Sequence, residues 1–174
     1  MRYSFVGNAR YKFIIEQFDK LSLSKDSTVI NCGCGSCVGS SYLKERYKTV
    51  KSFDIVEKAL AICKENGIKA EYGNILQLRL LDNCADAFVC SETMEHLSRK
   101  ESLIAAKEIM RVCKNNGLIC ITVPFDKESC LADPGHRQYL SVEDLQDHFK
   151  KLRVLFNGKF CKNEKRCNTV IVFE

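Results

Sequence analysis

Apolar residues recur along the chain in two patterns, one with helical spacing and one as short continuous runs. Near the amino end, Tyr11, Ile14 and Phe18 return every three or four positions, which predicts an amphipathic helix. Five short runs bounded by glycine or polar residues predict strands: STVINCG, TVKSFDIV, IKAEYG, ADAFVCSE and LICITVP. Helical segments separate most of these runs. Strands that alternate with helices indicate right-handed crossovers and a parallel sheet.

Local signals mark where the later helices begin and end. Ser98 and Glu101 have the spacing of a capping box, so a helix is predicted to start there and to end at the stop signal NNG. Residues 125–140 are predicted to form an irregular loop. A further short helix is expected to begin at Ser141, a good N-cap residue.

The carboxyl-terminal part contains two more strand-like runs, RVLF and NTVIVFE. The residues between them are too few for a helix, so the two strands are predicted to pair as an antiparallel hairpin. The whole pattern predicts an α/β fold with a doubly wound, mostly parallel, seven-stranded sheet that ends in this hairpin. A length of 174 residues predicts a single domain over residues 1–174.

Composition narrows the class of protein. An apolar fraction of 45% with 28% charged residues is typical of a soluble globular chain, and no apolar run is long enough to span a membrane. The amino end lacks the pattern of a secretory signal. The eleven cysteines are odd in number and several lie in apolar runs, which predicts buried free thiols and a reducing, cytoplasmic location.

The formal net charge is +5, and part of it lies near the carboxyl end. Seven basic residues cluster there: Lys150, Lys151, Arg153, Lys159, Lys162, Lys165 and Arg166. Such a cluster attracts nucleic acid or an acidic surface, and it equally describes a solvated loop that keeps a protein soluble. No oligomeric state is predicted.

Residues 31–37 read NCGCGSC and carry the most specific local signal. A zinc site would need a second cysteine pair spaced like Cys34 and Cys37, and the sequence has no such pair. The lysine that a phosphate-binding loop requires is also missing. What remains is a tight turn between a strand and a helix, where Gly33 and Gly35 let a nucleotide-type cofactor approach the backbone.

An acidic residue stands where such a site needs one. Asp54 ends the second predicted strand, 19 residues beyond Gly35 (54 − 35 = 19), which suits an acid that binds ribose hydroxyls. A dinucleotide site would place a third glycine at position 38, where the chain has Val38. A dehydrogenase would also need a catalytic domain that this length does not supply.

Five segments resemble, in order, the motifs of class I S-adenosylmethionine-dependent methyltransferases of the small-molecule, methyltransferase domain 11-like type. They are VINCGCGSCVGSSYL, SFDIV, YGNIL, DNCADAFVCSETMEHL and EIMRVCKNNGLICITVP. The resemblance implies a Rossmann-like methyltransferase fold with S-adenosylmethionine as the cofactor. It also implies a cofactor-binding core over residues 27–173 and an amino-terminal helical lid over residues 1–24.

The resemblance implies nine donor-binding residues: Gly33, Cys34, Gly35, Asp54, Ile55, Asn74, Ile75, Ser91 and Glu92. The backbone of the first three would line the amino-acid end of the donor, and Asp54 would bind the ribose hydroxyls. Ile55 would pack on adenine, and Asn74 and Ile75 would face the adenine edge. Ser91 and Glu92 would border the reacting centre. Ile55 and Ile75 are equally well described as ordinary core residues.

Three positions depart from the family pattern. Asn31 replaces the usual acid of the first motif, Cys37 replaces a common third glycine, and Asn74 replaces the usual aspartate of the third motif. Asparagine still accepts a hydrogen bond, but the loss of two negative charges weakens attraction to a cationic sulfonium. A non-catalytic binding module on the same fold is therefore an alternative.

The acceptor side offers two interpretations. His96 and His136 are candidate general bases near neutral pH, beside the acceptor pocket of a small-molecule enzyme. Alternatively, Glu92, Glu95, His96 and His136 resemble the metal-binding set of small-RNA 3′-end 2′-O-methyltransferases, although Leu97 stands where those enzymes have a second histidine. The sequence thus favours an S-adenosylmethionine-dependent methyltransferase with a small-molecule acceptor, and a metal-assisted RNA methyltransferase is the alternative.

Overall fold

The computed structural model describes residues 5–163 and 166–174, with side chains described for residues 9–161 and 167–174. Within these ranges six helices, α1 to α6, span Phe5–Lys20, Val38–Arg46, Glu57–Glu65, Arg99–Val112, Lys127–Leu131 and Val142–His148. Seven strands, β1 to β7, span Thr28–Cys32, Thr49–Asp54, Glu71–Tyr72, Ala85–Ser91, Cys113–Pro124, Val154–Asn163 and Arg166–Phe173. A short 3₁₀ helix covers Met94–His96.

The strands form one sheet in the order β3-β2-β1-β4-β5-β7-β6. Strands β1 to β5 are parallel, while β7 is antiparallel to both β5 and β6. The predicted doubly wound sheet with its carboxyl-terminal hairpin is therefore confirmed. The strand order reverses between β1 and β4, so their carboxyl ends diverge into a crevice of the kind where α/β proteins bind ligands.

Alternate residues of each central strand enter two different cores. Val29 packs with α1 and α2 on one face of the sheet, and its neighbour Ile30 packs with α4 and α6 on the other. Strand β4 repeats this division with Val89 and Phe88. A strand buried on both faces must be apolar at successive positions, and this is why the runs appear continuous in sequence.

The helix predicted from Ser98 begins as expected, but its predicted end is wrong. Ser98 and Glu101 form a reciprocal capping box at the start of α4. The helix ends at Val112, and NNG lies within β5. Cys113 is already extended because it pairs with Ala85 of β4, and this sheet pairing outweighs the local stop signal.

The loop predicted over residues 125–140 is not wholly irregular. It contains α5, which begins after Asp126, whose side chain accepts a hydrogen bond from the backbone amide of Ser129. The loop predicted between the last two strands is also much shorter than expected, because β6 and β7 extend into it. Of the basic residues assigned to that loop, Lys165 lies outside the described residues. The side chains of Lys162 and Arg166 lie outside them as well.

Four cysteines form two disulfides, Cys37–Cys63 and Cys161–Cys167, so the prediction of free thiols is wrong for these four. The other seven are free, and six of the seven are buried. The Cys37–Cys63 bond joins α2 to α3, and these two cysteines, 26 positions apart, become close only through the tertiary fold. Cys161 and Cys167 lie opposite each other in the hairpin of β6 and β7. None of the described helices has the length and apolar character needed to cross a membrane.

Candidate functional site

A cavity of about 530 Å³ opens where β1, β2 and β4 end. Seven of the nine residues assigned to the donor line it: Gly33, Gly35, Asp54, Ile55, Asn74, Ile75 and Glu92. His96 lines it too. Cys34 and Ser91 do not, because the Cys34 sulfur lies in a cysteine cluster and the Ser91 hydroxyl is 2.9 Å from that of Thr122. The rest of the lining is made of six residues that sequence reasoning did not assign to the site: Cys32, Val56, Ala59, Gly73, Thr93 and Leu97.

The glycine turn needs its glycines for two different reasons. Gly33 and Gly35 have φ angles of +75° and +53°, in the left-handed region that L-residues avoid. A Cβ on Gly33 would lie 2.0 Å from the Thr93 hydroxyl oxygen, whereas one on Gly35 would meet no atom within 4 Å. Gly33 thus allows the turn after β1 to pack against the turn after β4, and Gly35 leaves backbone open to a ligand.

Asp54 holds this turn and faces the same cavity. Its Oδ2 accepts a hydrogen bond from the Gly35 amide at 2.7 Å, and its Oδ1 accepts one from the Val56 amide at 2.9 Å. Each carboxylate oxygen can accept a further hydrogen bond, which suits the two hydroxyls of a ribose. The backbone fixes the carboxylate before any ligand arrives.

The residues assigned to adenine occupy different environments. Ile55 is 52% exposed, so it is not a core residue, and its side chain is available to a ring. Ile75 is 6% exposed and belongs to one of the two cores while also lining the cavity. Asn74 uses its side-chain oxygen to accept a hydrogen bond from the Leu76 amide at 2.9 Å. Its amide group is left for a ligand edge.

Asn31 lies outside the cavity lining, in a buried chain of neutral hydrogen bonds. The Tyr11 hydroxyl donates to Asn31 Oδ1, Asn31 Nδ2 donates to the Ser40 hydroxyl, and the Ser52 hydroxyl also donates to Ser40, at 3.0, 3.0 and 2.8 Å. The Tyr11 ring occupies the space that a Cβ on Gly39 would need. The asparagine therefore satisfies a buried network without a buried charge, and it fixes α1 against the sheet.

Glu92 joins three distant parts of the chain at the end of β4. Its Oε2 lies 3.3 Å from Arg10 Nη1 of α1 and accepts a hydrogen bond from Asn168 Nδ2 of β7 at 2.7 Å. Its Oε1 accepts one from the Thr122 hydroxyl at 3.0 Å. Arg10 and Asn168 are functional candidates that no local sequence signal marks, because their relation to Glu92 exists only in the fold.

The structure brings together three of the four residues in the metal alternative: Glu95, His96 and His136. Each offers a ligand atom within 4.8 Å of the others. Glu95 is fully buried, and neither carboxylate oxygen has a hydrogen-bond partner among the described residues. Burial, and then the nearby charge of Glu92, raises the pKa of the Glu95 carboxyl to about 8. Glu92 itself belongs to the network with Arg10.

The two histidines are oriented in the same way. Nδ1 of His96 lies 2.9 Å from the carbonyl oxygen of Gly135, and Nδ1 of His136 lies 2.7 Å from that of Cys130. A carbonyl can only accept, so each Nδ1 carries a proton, and in the neutral ring Nε2 is then the acceptor. His136 Nε2 also lies 4.0 Å from Asp133 Oδ2. The ring centroids are 4.8 Å apart. Both rings can thus accept a proton or bind a cation through Nε2.

A larger groove of about 1160 Å³ lies beside the cavity, beyond β3, and shares Gly73 and Asn74 with it. Four basic residues are among those that line it: Lys44, Lys51, Lys69 and Arg79. Gly33, Gly35 and Asp54 line the smaller cavity, whereas none of the three is among the residues that line the groove.

The strand order, the glycine turn and Asp54 define a Rossmann-like site for a nucleotide-type cofactor. A family model described as a methyltransferase domain matches residues 30–121, more than half of the chain. The chain therefore belongs to this methyltransferase domain family, among the class I S-adenosylmethionine-dependent methyltransferases. No curated protein matches the chain in sequence.

Solved structures share the fold over nearly the whole chain. A SAM-dependent methyltransferase from Aquifex aeolicus is 20% identical, with 98% of this chain and 93% of that chain covered and a TM-score of 0.75. An S-adenosylmethionine-dependent methyltransferase from Clostridium acetobutylicum is 12% identical, with 98% and 92% covered and a TM-score of 0.75. One from Methanosarcina mazei is 18% identical, with 92% and 95% covered and a TM-score of 0.73. At these identities the likeness shows the fold.

Proposed function

We propose that the chain binds S-adenosylmethionine in the 530 Å³ cavity and methylates a small-molecule acceptor. The observation that carries the donor assignment is the pair of backbone amides that fix the Asp54 carboxylate beside the glycine turn. When bound, the donor supplies a methyl group on a sulfonium, a good leaving group for in-line displacement. Holding the acceptor in line can then supply much of the rate.

The chain's own residues divide this work. The backbone at Gly33 and Gly35 admits the amino-acid end of the donor, Asp54 accepts from the ribose hydroxyls, and exposed Ile55 covers one face of the adenine. Asn74 offers its amide to the adenine edge. Each of these residues lines the cavity in the structure, and this fit supports S-adenosylmethionine as the cofactor.

We assign the acceptor side to the end of β4 and the elements that cover it. Of the predicted lid over residues 1–24, residues 1–4 lie outside the described residues. In this proposal α1 acts as the lid, because it reaches Glu92 through Arg10. His96 lines the cavity and keeps Nε2 free, so it is the first candidate for a general base, with His136 beside it. The small volume and the short covering segments favour a small acceptor over a macromolecule.

Calorimetric titration with S-adenosylmethionine tests the donor site. The wild-type protein is expected to bind, and Asp54→Ala is expected to weaken binding by roughly 10- to 150-fold, the range for hydrogen bonds to a charged group. Asp26→Ala is the matched control, since that carboxylate is 82% exposed and pairs with the exposed Lys48 at 3.6 Å. Equal donor affinity in Asp54→Ala and wild type would overturn the site assignment.

Glu95 supports a second candidate, a cation-assisted methyltransferase that acts on the ribose of RNA. The buried Glu95 carboxylate has no hydrogen-bond partner among the described residues and lies beside two histidines. The three side chains are a suitable ligand set for a divalent cation. The basic groove beside the cavity would accommodate phosphates. The basic residues of the last hairpin that the structure describes add to this charge, and Lys159 Nζ lies 3.6 Å from the Phe125 ring centroid.

Chelation separates the two candidates. With an RNA oligonucleotide as acceptor, the second candidate predicts methyl transfer that EDTA abolishes and that Mg²⁺ or Mn²⁺ restores. Glu95→Gln should lose this response to metal while donor binding stays intact. Full activity in EDTA on either class of acceptor would reject the second candidate.

We also propose a reducing, cytoplasmic location, which the seven free cysteines support. In such a compartment the two disulfides would be bonds that form and break during function. Fractionation of cells that express the tagged chain checks this, and recovery only outside the cytoplasm would contradict it.

A further inference from the structure

Three cysteine sulfurs meet directly behind the glycine turn. Cys37 and Cys63 are bonded and fully buried, with their Cα atoms 5.4 Å apart, a normal separation for a disulfide. The Cys34 sulfur lies 3.6 Å from that of Cys37. Ile68 and Ala70 pack around the three, which form a small core of their own. None of these sulfurs has a role in the donor site described above.

The backbone at Cys37 indicates that the sulfur itself is needed there. Cys37 is the N-cap of α2 and has a φ of 61°, in the left-handed region, with no capping hydrogen bond from its side chain. A non-glycine residue in this region costs roughly 1 to 2 kcal/mol, which glycine would avoid. A strained cysteine at the end of a cofactor turn therefore points to a function of its thiol.

The bond connects two elements that both line the donor cavity. Cys37 ends the turn that contains Gly35, and Cys63 lies on α3, whose Ala59 also lines the cavity. The Cys63 sulfur is 3.2 Å from the carbonyl oxygen of Gly35, and the amide of the same glycine binds Asp54. The disulfide therefore holds α3 against the residue that positions the ribose-binding acid.

We propose that Cys37–Cys63 is a redox-controlled bond that sets the affinity of the donor site. The inference rests on the proposed function, since it assigns regulation to the same cavity. In the oxidised protein the turn is preorganised, so less conformational entropy is lost when the donor binds. In the reduced protein α3 is no longer bonded to the turn. Donor binding must then order both α3 and the turn, which lowers the affinity.

The chemical step is thiol–disulfide exchange with a dithiol reductant. Because both cysteines are buried, the exchange requires a local opening that exposes the bond. One thiolate of the reductant then attacks a sulfur of the Cys37–Cys63 bond, which breaks and leaves the other cysteine as a thiolate that takes up a proton. The second thiolate of the reductant then attacks the reductant's own sulfur in the mixed disulfide and displaces the protein cysteine, which leaves as a thiolate and takes up a proton. The reductant leaves as its own disulfide, and Cys37 and Cys63 both end as thiols.

Cys34 stays outside this exchange. Burial, and then the charge of Asp54, raises the pKa of the Cys34 thiol to about 12, so it remains protonated near neutral pH. Its sulfur therefore does not compete with Cys63 for Cys37. The exchange is therefore confined to Cys37 and Cys63.

Donor titration of the oxidised and the dithiothreitol-reduced protein tests the proposal, with mass spectrometry of trapped thiols to verify each state. The oxidised form is expected to bind S-adenosylmethionine roughly 5- to 150-fold more tightly, the usual range of coupling between two sites. By linkage, the donor must also protect the bond from reduction by the same factor. Cys37→Gly, which suits the left-handed backbone, and Cys63→Ser should each bind with one affinity under both conditions.

The second disulfide provides the matched control. The double variant Cys161→Ser/Cys167→Ser should keep the full difference between the oxidised and reduced forms. Equal donor affinity in oxidised and reduced wild type would overturn this inference while the proposed function stands. Absence of donor binding in both states would overturn the inference and the proposed function together.

Discussion

The carboxylate of Asp54 accepts a hydrogen bond from the backbone amide of Gly35 at 2.7 Å, and this contact joins the end of β2 to the turn after β1. The two residues are 19 positions apart (54 − 35 = 19). Parallel pairing of β1 with β2 brings them together at one edge of the sheet. The acid that would bind a ribose is thus also a structural part of the turn that would admit the rest of the donor.

The two glycines of the turn should differ sharply in their tolerance of a methyl group. Gly33→Ala combines a left-handed backbone with a contact of 2.0 Å to Thr93, and we expect a loss of roughly 2 to 5 kcal/mol in the free energy of unfolding. Gly35→Ala has no such contact and should lose about 1 to 2 kcal/mol. Urea unfolding measures both, and equal losses would contradict the packing role of Gly33.

The hydroxyl of Tyr11 should matter for stability. Tyr11→Phe leaves Asn31 Oδ1 without its donor in a fully buried position, and we expect unfolding to become easier by roughly 1 to 3 kcal/mol. The matched control is Tyr72→Phe, because Tyr72 is 63% exposed and should change stability by less than about 0.5 kcal/mol. Thermal or urea unfolding that cannot distinguish the two variants would show that the buried network contributes nothing.

Glu95 should make the stability of the metal-free protein depend on pH. Its carboxyl has a pKa of about 8 in the folded chain, against an ordinary value of 4.5. At pH values between these two, the folded state keeps a proton that the unfolded state has lost. Stability is therefore complete below about pH 4.5 and falls as the pH rises toward 8, by roughly 3 to 5 kcal/mol in total.

Urea unfolding in EDTA across this range measures the effect. Glu95→Gln should remove most of the decline with pH, because the amide cannot ionise. The exposed residue Glu16 provides the control, and Glu16→Gln should keep the wild-type slope. A decline of the same size in Glu95→Gln would assign the pH dependence to other groups.

Arg10 and Glu92 should be energetically coupled. Their side chains are only 15% and 26% exposed, and the pair links α1 to the end of β4. A double-mutant cycle with Arg10→Met and Glu92→Gln is expected to give a coupling energy of roughly 0.5 to 3 kcal/mol. The same cycle on Lys48 and Asp26, which are 74% and 82% exposed, should give about 0.2 kcal/mol. If the coupling energy of Arg10 and Glu92 is no larger than that of Lys48 and Asp26, the Arg10–Glu92 contact does not hold α1 in place.

Local patterns predicted most of the fold correctly. The capping box at Ser98 located the start of α4, and the apolar runs located the strands of the sheet. Each of these signals depends on residues within a few positions of one another. The glycine turn and Asp54 were predictable for a related reason, since consecutive parallel strands bring their carboxyl ends to the same edge. Where the local signal competed with sheet pairing, as at NNG, the local prediction was wrong.

The sequence by itself determined the fold class, the position of the glycine turn and the acid that accompanies it, because these follow from periodicity and from backbone freedom at glycine. Only the tertiary structure decided that Cys63 bonds to Cys37, that Arg10 reaches Glu92, and that Glu95 lies buried beside two histidines. Each of these contacts joins residues from separate elements. Side-chain chemistry depends on such proximity and burial, and spacing along the chain does not encode either one.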